Sequence, residues 1–154
     1  MSLHVQIFCR SDRSLTRREI IQFILTGALI DETPSFKPSP NSPEAAEPVW
    51  RSLQLQPAAS APLLIERIVE KPEIDAYVEE GLAAAAKIAT ETNKKTVEEV
   101  VRGAKQVFHI DLSSNPSEDV WEAIDAVEML IARELDGLIQ ADEGFYDAQL
   151  RFVN

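Results

Sequence analysis

The hydrophobic period changes along this chain, and each change limits what the segment can become. Leu3, Val5, Ile7 and Cys9 alternate with His4, Gln6, Phe8 and Arg10, the period of two that sets one side of a strand against a core. Ile74, Tyr77, Val78, Gly81, Leu82, Ala85, Ile88 and Ala89 recur instead at helical spacing, which gives one apolar stripe on a long helix. A chain that moves between the two periods mixes strands and helices, so the class is α+β.

The remaining elements follow from the same reading. Thr16 and Glu19 have the spacing of a capping box, and Ile20, Ile21, Phe23, Ile24 and Leu25 form the apolar side of a first helix over about 16–26, which Gly27 stops. Val49, Arg51, Leu53 and Leu55 alternate with Trp50, Ser52, Gln54 and Gln56, and residues 63–70 form the next apolar run. These are strands two and three, antiparallel because the break between them is short. Pro72 opens the long second helix, with Glu73 and Asp75 favourable to its dipole. Thr96 and Glu99 mark a second capping box, predicting a third helix that carries Val97, Val100, Val101, Ala104, Val107 and Phe108. Asn115 and Pro116 precede a fourth, carrying Val120, Trp121, Ile124, Val127, Leu130 and Ile131 and closed at Asp136 and Gly137. The final residues read as a strand, a turn at Asp142, Glu143 and Gly144, and a second strand.

This order predicts a βαββα core of the ferredoxin-like, split βαβ kind, with the first and third strands parallel and central. Two added C-terminal helices and a terminal β strand or hairpin complete it. At 154 residues a single α+β domain over 1–154 is expected. Val5, Ile7, Leu53, Ile65, Tyr77, Leu82, Val101, Ile124 and Ile131 should share one core, each being in phase with its element. Residues 31–48 hold five of the nine prolines and show no periodicity, so they read as a long loop within the domain, with Phe36 and Trp50 as anchors. Loops of that length are generally functional or disordered.

Charge narrows the classes of function. The formal net charge is −11, and the surplus of carboxylates lies entirely C-terminal to residue 56. Binding to nucleic acid or to anionic membranes is disfavoured, since both rest on Lys and Arg. One cysteine cannot make an internal disulfide, and no long apolar run stands at the start or elsewhere, so a cytoplasmic, unanchored protein is expected. Two histidines and Cys9 are too few for a closed zinc site. His4 and Cys9 would point to opposite sides of strand one, and Cys9, in phase with Val5 and Ile7, reads as a buried inert thiol. No Gly-x-Ser-x-Gly turn supports serine catalysis. Asp136, Asp142, Glu143 and Asp147 crowd the last hairpin, but a turn collects such residues for its own geometry. Glu79, Glu80, Glu98, Glu99 and Glu122 lie opposite the apolar stripes as solvated faces. No metal and no cofactor is implied.

One local anomaly remains. Arg10, Arg13, Arg17 and Arg18 cluster between strand one and the first turn of the first helix, where cations oppose the helix dipole but an anion would be held by free N–H groups and guanidinium forks together. They are the candidate anion-binding residues, with pairing to the acidic C-terminal half as the alternative. The stretch from Leu15 to Ile20 also resembles the opening of the LuxR-type helix-turn-helix. What should follow it, a second helix and a basic recognition helix, is replaced here by the proline-rich stretch, so the resemblance implies no DNA-binding function.

The expected function is therefore a small acidic protein-binding or regulatory domain without catalytic activity, its partner a basic protein; antidote or immunity proteins are one version. The competing class is an enzyme or ligand-binding domain holding an anionic small molecule near the four arginines. A self-associating subunit is a third.

Overall fold

The computed structural model describes residues 3–27, 33–57, 61–112 and 117–154. Among these the elements run β1 (Leu3–Cys9), α1 (Arg17–Gly27), β2 (Ser35–Lys37), a short 3-10 turn (Pro43–Ala46), β3 (Ser52–Gln56), β4 (Leu63–Ile68), α2 (Lys71–Ala85), α3 (Glu91–Arg102), β5 (Gln106–Leu112), α4 (Glu118–Glu134), β6 (Gly137–Ala141), β7 (Gly144–Tyr146) and β8 (Phe152–Val153). The class is α+β. The strands form one eight-stranded sheet in the order β2-β3-β4-β5-β1-β6-β7-β8, and every neighbouring pair is antiparallel.

The first helix and the β3–β4 hairpin form as the sequence predicts, except that β3 begins only at Ser52 and leaves Val49 and Arg51 exposed before it. Thr16 Oγ1 accepts the Glu19 backbone N–H at 3.2 Å, which is one half of the expected capping box. The third predicted helix departs from expectation. It starts earlier, at Glu91, so that Thr96 lies inside it and spends its hydroxyl on the Thr92 carbonyl. It also ends earlier, at Gly103, whose N–H closes on Glu99. Val107 and Phe108 continue the helical stripe in sequence but belong to β5, which pairs with both β1 and β4.

That strand changes the topology. The first and third predicted strands, β1 and β4, run in the same direction but are separated by β5, so the adjacency expected of a ferredoxin-like N-terminal half is not made. A split βαβ unit occurs instead in the second half. There β5 and β6 flank β1, both antiparallel to it and hence parallel to each other, and α4 connects them.

The proline-rich stretch is more structured than the expected loop. β2 adds to the sheet beside β3, and Ser42 caps the 3-10 turn through the Glu44 N–H. Phe36 and Trp50 are both buried, and the Trp50 indole donates to the Leu15 carbonyl at 2.8 Å. The anchors expected from the sequence are therefore present. Residues 31, 32 and 113–116, including the Asn115 and Pro116 signal, lie outside the described residues.

Helices cover both faces of the sheet, so the single expected core is two. Val5, Ile7, Leu53, Ile65, Ile124 and Ile131 join one cluster, in which α1 and α4 pack on the sheet. Val101, with Tyr77 and Leu82 at its margin, belongs to the other, beneath α2 and α3. Gly81 allows α2 to come close to this second face. A Cβ there would lie 2.8 Å from Phe8 Cζ and 3.1 Å from Val101 Cγ1.

Candidate functional site

Strand register turns one face of the sheet from apolar to polar over two residues. On the side beneath α2 and α3, Phe8 stands between Val107 and Leu138, with Ile68 beyond Val107. One pleat further along, Gln6 stands between His109 and Gln140, with Glu66 beyond His109. In the next row His4 faces Asp111. These are positions on the central strands, where an apolar face would ordinarily be buried for stability.

The polar rows form the floor of a cleft of about 580 Å³. Tyr77, Glu80 and Lys87 approach it from α2 and the turn after it, and Asp142 and Glu143 from the β6–β7 turn. His4 Nδ1 lies 3.0 Å from His109 Nε2. The two ring centroids are 5.1 Å apart with planes 14° from parallel, and the Tyr77 ring lies 5.7 Å from His109. Behind them, Glu66 reaches toward His109 with one carboxylate oxygen, at 3.8 Å from Nδ1, and pairs with Arg51 through the other, at 3.3 Å. Arg51 is itself held by both oxygens of Glu73.

The electrostatics fix the protonation of this chain. Burial, and then the neighbouring His4, hold the His109 imidazole below its ordinary pKa, so it stays neutral; Glu66 and Asp111 oppose that shift without reversing it. His109 Nδ1 is covered and makes no hydrogen bond, 3.8 Å being too long for one. With Glu66 on that side, the field favours the proton on Nδ1. Nε2 then accepts from His4 Nδ1–H. Burial and the nearby Glu66 and Glu80 raise the Tyr77 phenol above its usual range, so it remains a donor at neutral pH. On the floor the neutral His109 imidazole and the Tyr77 phenol stand with the amides of Gln6 and Gln140, while the rim carries Glu80, Asp142 and Glu143 against Lys87.

The four arginines separate into two pairs. Arg10 binds Asp136 at 2.9 Å and Arg13 binds Glu134 at 3.2 Å. Arg17 donates to the Ser52 and Glu44 carbonyls and stacks over Trp50. Arg18 donates to the Pro40 and Ser42 carbonyls. One pair thus meets the acidic C-terminal half and the other pins the proline-rich stretch. Arg13 lines a shallow groove between α1 and α4, and there it faces Glu134.

Cys9 is buried, and burial drives its thiol pKa far upward, which fits the inert thiol expected. Asp147 accepts the N–H groups of Gln149 and Arg151, a turn-forming role. Among the described residues no three His, Cys, Asp or Glu side chains converge as metal ligands.

The histidine pair was not among the candidates from sequence. His109 falls in a segment that reads as the end of a helix, so nothing joined it to His4. The available signal was the alternation of His109 and Asp111 with Phe108, Ile110 and Leu112, the same pattern as His4 and Gln6 in β1.

Compared with protein-family models, with curated proteins and with solved structures, the chain matches none.

Proposed function

We propose that the protein is a binding domain for a small polar molecule, uncharged or cationic, held in the cleft under α2. The observation that carries this reading is the row of Glu66, His109, Gln6 and Gln140 across four central strands. Hydrogen-bonding groups placed there give up apolar burial, and binding sites are where such groups converge on a mostly preformed cavity. The acidic rim and the neutral His109 argue against an anionic ligand in this cleft.

Titration with a panel of uncharged amides, polyols and nucleosides, alongside matched dicarboxylates, tests it by NMR of the His109 and Gln6 side chains. Uncharged compounds should shift these resonances saturably, and Gln6→Leu should weaken that binding. A panel in which only the dicarboxylates bind, or in which Gln6→Leu changes nothing, would overturn the reading.

A basic protein partner is the second reading. Arg10, Arg13, Arg51, Arg102, Arg133 and Arg151 each already face a carboxylate of the chain, so the charge left over for a partner is negative. Such an association should be fast at low salt and slow markedly as salt rises; an association rate indifferent to salt counts against it.

A further inference from the structure

A second cleft, of about 280 Å³, opens on the opposite face of the sheet between α4 and the β6–β7 hairpin. Its walls combine two kinds of group. Trp121, Ile139, Tyr146 and Leu150 make an apolar and aromatic sleeve, and Asp125, Glu128 and Glu143 bring carboxyl groups to it. Glu128 is the unusual member. It is only 5% exposed, and among the described residues it has no hydrogen-bond or ion-pair partner. A carboxyl group so covered ordinarily has one.

We propose that this cleft binds an organic ammonium ion, a primary amine on a short apolar or aromatic body, with Glu128 as the counter-charge. The volume, at the low end for small-molecule sites, limits the body to about one ring or a short alkyl chain. The aromatic walls suit a cation, since the faces of Trp and Tyr attract positive charge. Nothing basic on the described walls competes with the ammonium for the carboxylates: besides the acids and Tyr146, the titratable group facing the cleft is His4.

Binding carries a proton signature. Burial first, then the charges of Asp125 and Glu143, push the Glu128 carboxyl up to about 8, so at neutral pH it is mostly protonated. An ammonium ion placed against it favours the carboxylate, and the proton leaves to solvent. The amine stays protonated throughout, so charge balances: one cation is taken up and about one proton is released.

The test is calorimetric titration of the full chain with 2-phenylethylamine at neutral pH, in two buffers of different ionisation enthalpy, beside its uncharged counterpart 2-phenylethanol. The amine should bind saturably with release of about one proton, and the alcohol about tenfold more weakly or worse, the scale of one charge-assisted hydrogen bond. Glu128→Gln should abolish the proton release and weaken the amine by a similar factor. Asp125→Asn, at a residue that lines this cleft and not the first, should weaken it less and serves as the check if Glu128→Gln does not fold. His109 lines the first cleft and reaches the second only through its contact with His4, so His109→Gln should leave amine binding essentially unchanged. Equal affinity for amine and alcohol, no saturable binding, or proton release that survives Glu128→Gln would each overturn the proposal. Loss of amine binding in His109→Gln but not in Glu128→Gln would assign the amine to the first cleft and overturn it as well.

Discussion

β1 sends Val5, Ile7 and Cys9 to the face covered by α1 and α4, and His4, Gln6 and Phe8 to the face covered by α2 and α3. β5 repeats the division, with Phe108, Ile110 and Leu112 on the first face and Val107, His109 and Asp111 on the second. The first face is apolar along the whole width of the central strands, and the second only along the end nearest α3. Two layers of helix rest on one sheet, yet only one of them rests on a continuous core. Stability is therefore concentrated on the α1/α4 side, and the other side can give up burial for recognition. Each face carries a titratable group held neutral: a base, His109, half-buried on the polar face, and an acid, Glu128, which is buried and is the exception on the apolar one.

The comparison breaks most directly at the core. Ile7 and Ile124 are buried on the apolar face, and Ile7→Ala and Ile124→Ala should each cost about 2–5 kcal/mol. Leu82 is half-buried at the edge of the second cluster, and Leu82→Ala should cost distinctly less, because water can partly fill the space left behind. Urea denaturation of the three variants measures this. Equal losses at Ile124 and Leu82 would mean that the two faces share the load evenly.

Glu128 sharpens the comparison through pH. Its ordinary value is 4.5 and its folded value about 8, so between these the native state holds a proton that the unfolded chain has released. Stability from this group is complete below the lower value and is lost as pH rises through the upper one. At pH 7 the accumulated loss is roughly 3 kcal/mol. Glu128→Gln should therefore match the wild type near pH 4 and exceed it by about that amount near pH 7. Parallel stability curves for the two proteins would show that Glu128 is ionised in the fold.

These two residues also mark where the sequence was legible. β1, α1 and the β3–β4 hairpin each carry one clear period and a turn or cap signal, and they form where the pattern puts them. β5 is buried on both sides near Val107 and Phe108, so its alternation begins only at Phe108, and its first residues fall in phase with α3. The period therefore could not separate strand from helix there, and with β5 unseen neither the β1–β5–β4 order nor the His4–His109 pair could be reached. Glu128 left a trace that was available: with Ile124 four residues before it and Ile131 three after, it lies on the apolar stripe of α4. A carboxylate within such a stripe differs from Glu122, which lies on the exposed side. The arginine cluster was visible as charge, but its partners lie 22 to 126 residues away in sequence, and those distances carry no local pattern.

Gly81 tests whether the second face is tightly closed at its apolar end. Gly81→Ala would ordinarily stabilise a helix by removing backbone freedom from the unfolded chain. Here the added methyl meets the Phe8 ring at 2.8 Å and Val101 at 3.1 Å, and overpacking of that kind costs about 1–3 kcal/mol. The substitution should be destabilising, with NMR shifts confined to Phe8, Val101 and their neighbours. A gain in melting temperature would show that α2 can lift away from the sheet without loss, and that even the apolar end of this face is loosely held.

The smallest expected effect concerns His109, and its sign is opposite to that of Glu128. Burial and the neighbouring His4 lower the His109 pKa from its ordinary value of 6.5, so as acid is added the unfolded chain takes up the proton before the native state does. Stability from this group is complete above about 6.5 and falls as pH drops below it, levelling off once the native imidazole is also protonated. The imidazole is 13% exposed and has Glu66 within 3.8 Å, and both features limit the shift, so the slope should be shallower than the one Glu128 produces on the alkaline side. His109→Gln keeps a polar side chain against His4 and removes the titration, so the variant should lose the acid-side slope and retain the alkaline one. Glu128→Gln should do the reverse, and the double variant should flatten both limbs additively, because the two groups lie on opposite faces of the sheet with no shared partner. A double variant whose profile departs from that sum would reveal coupling across the sheet, through His4 and the β6–β7 turn, which line both clefts. The two faces would then be one site with two entrances.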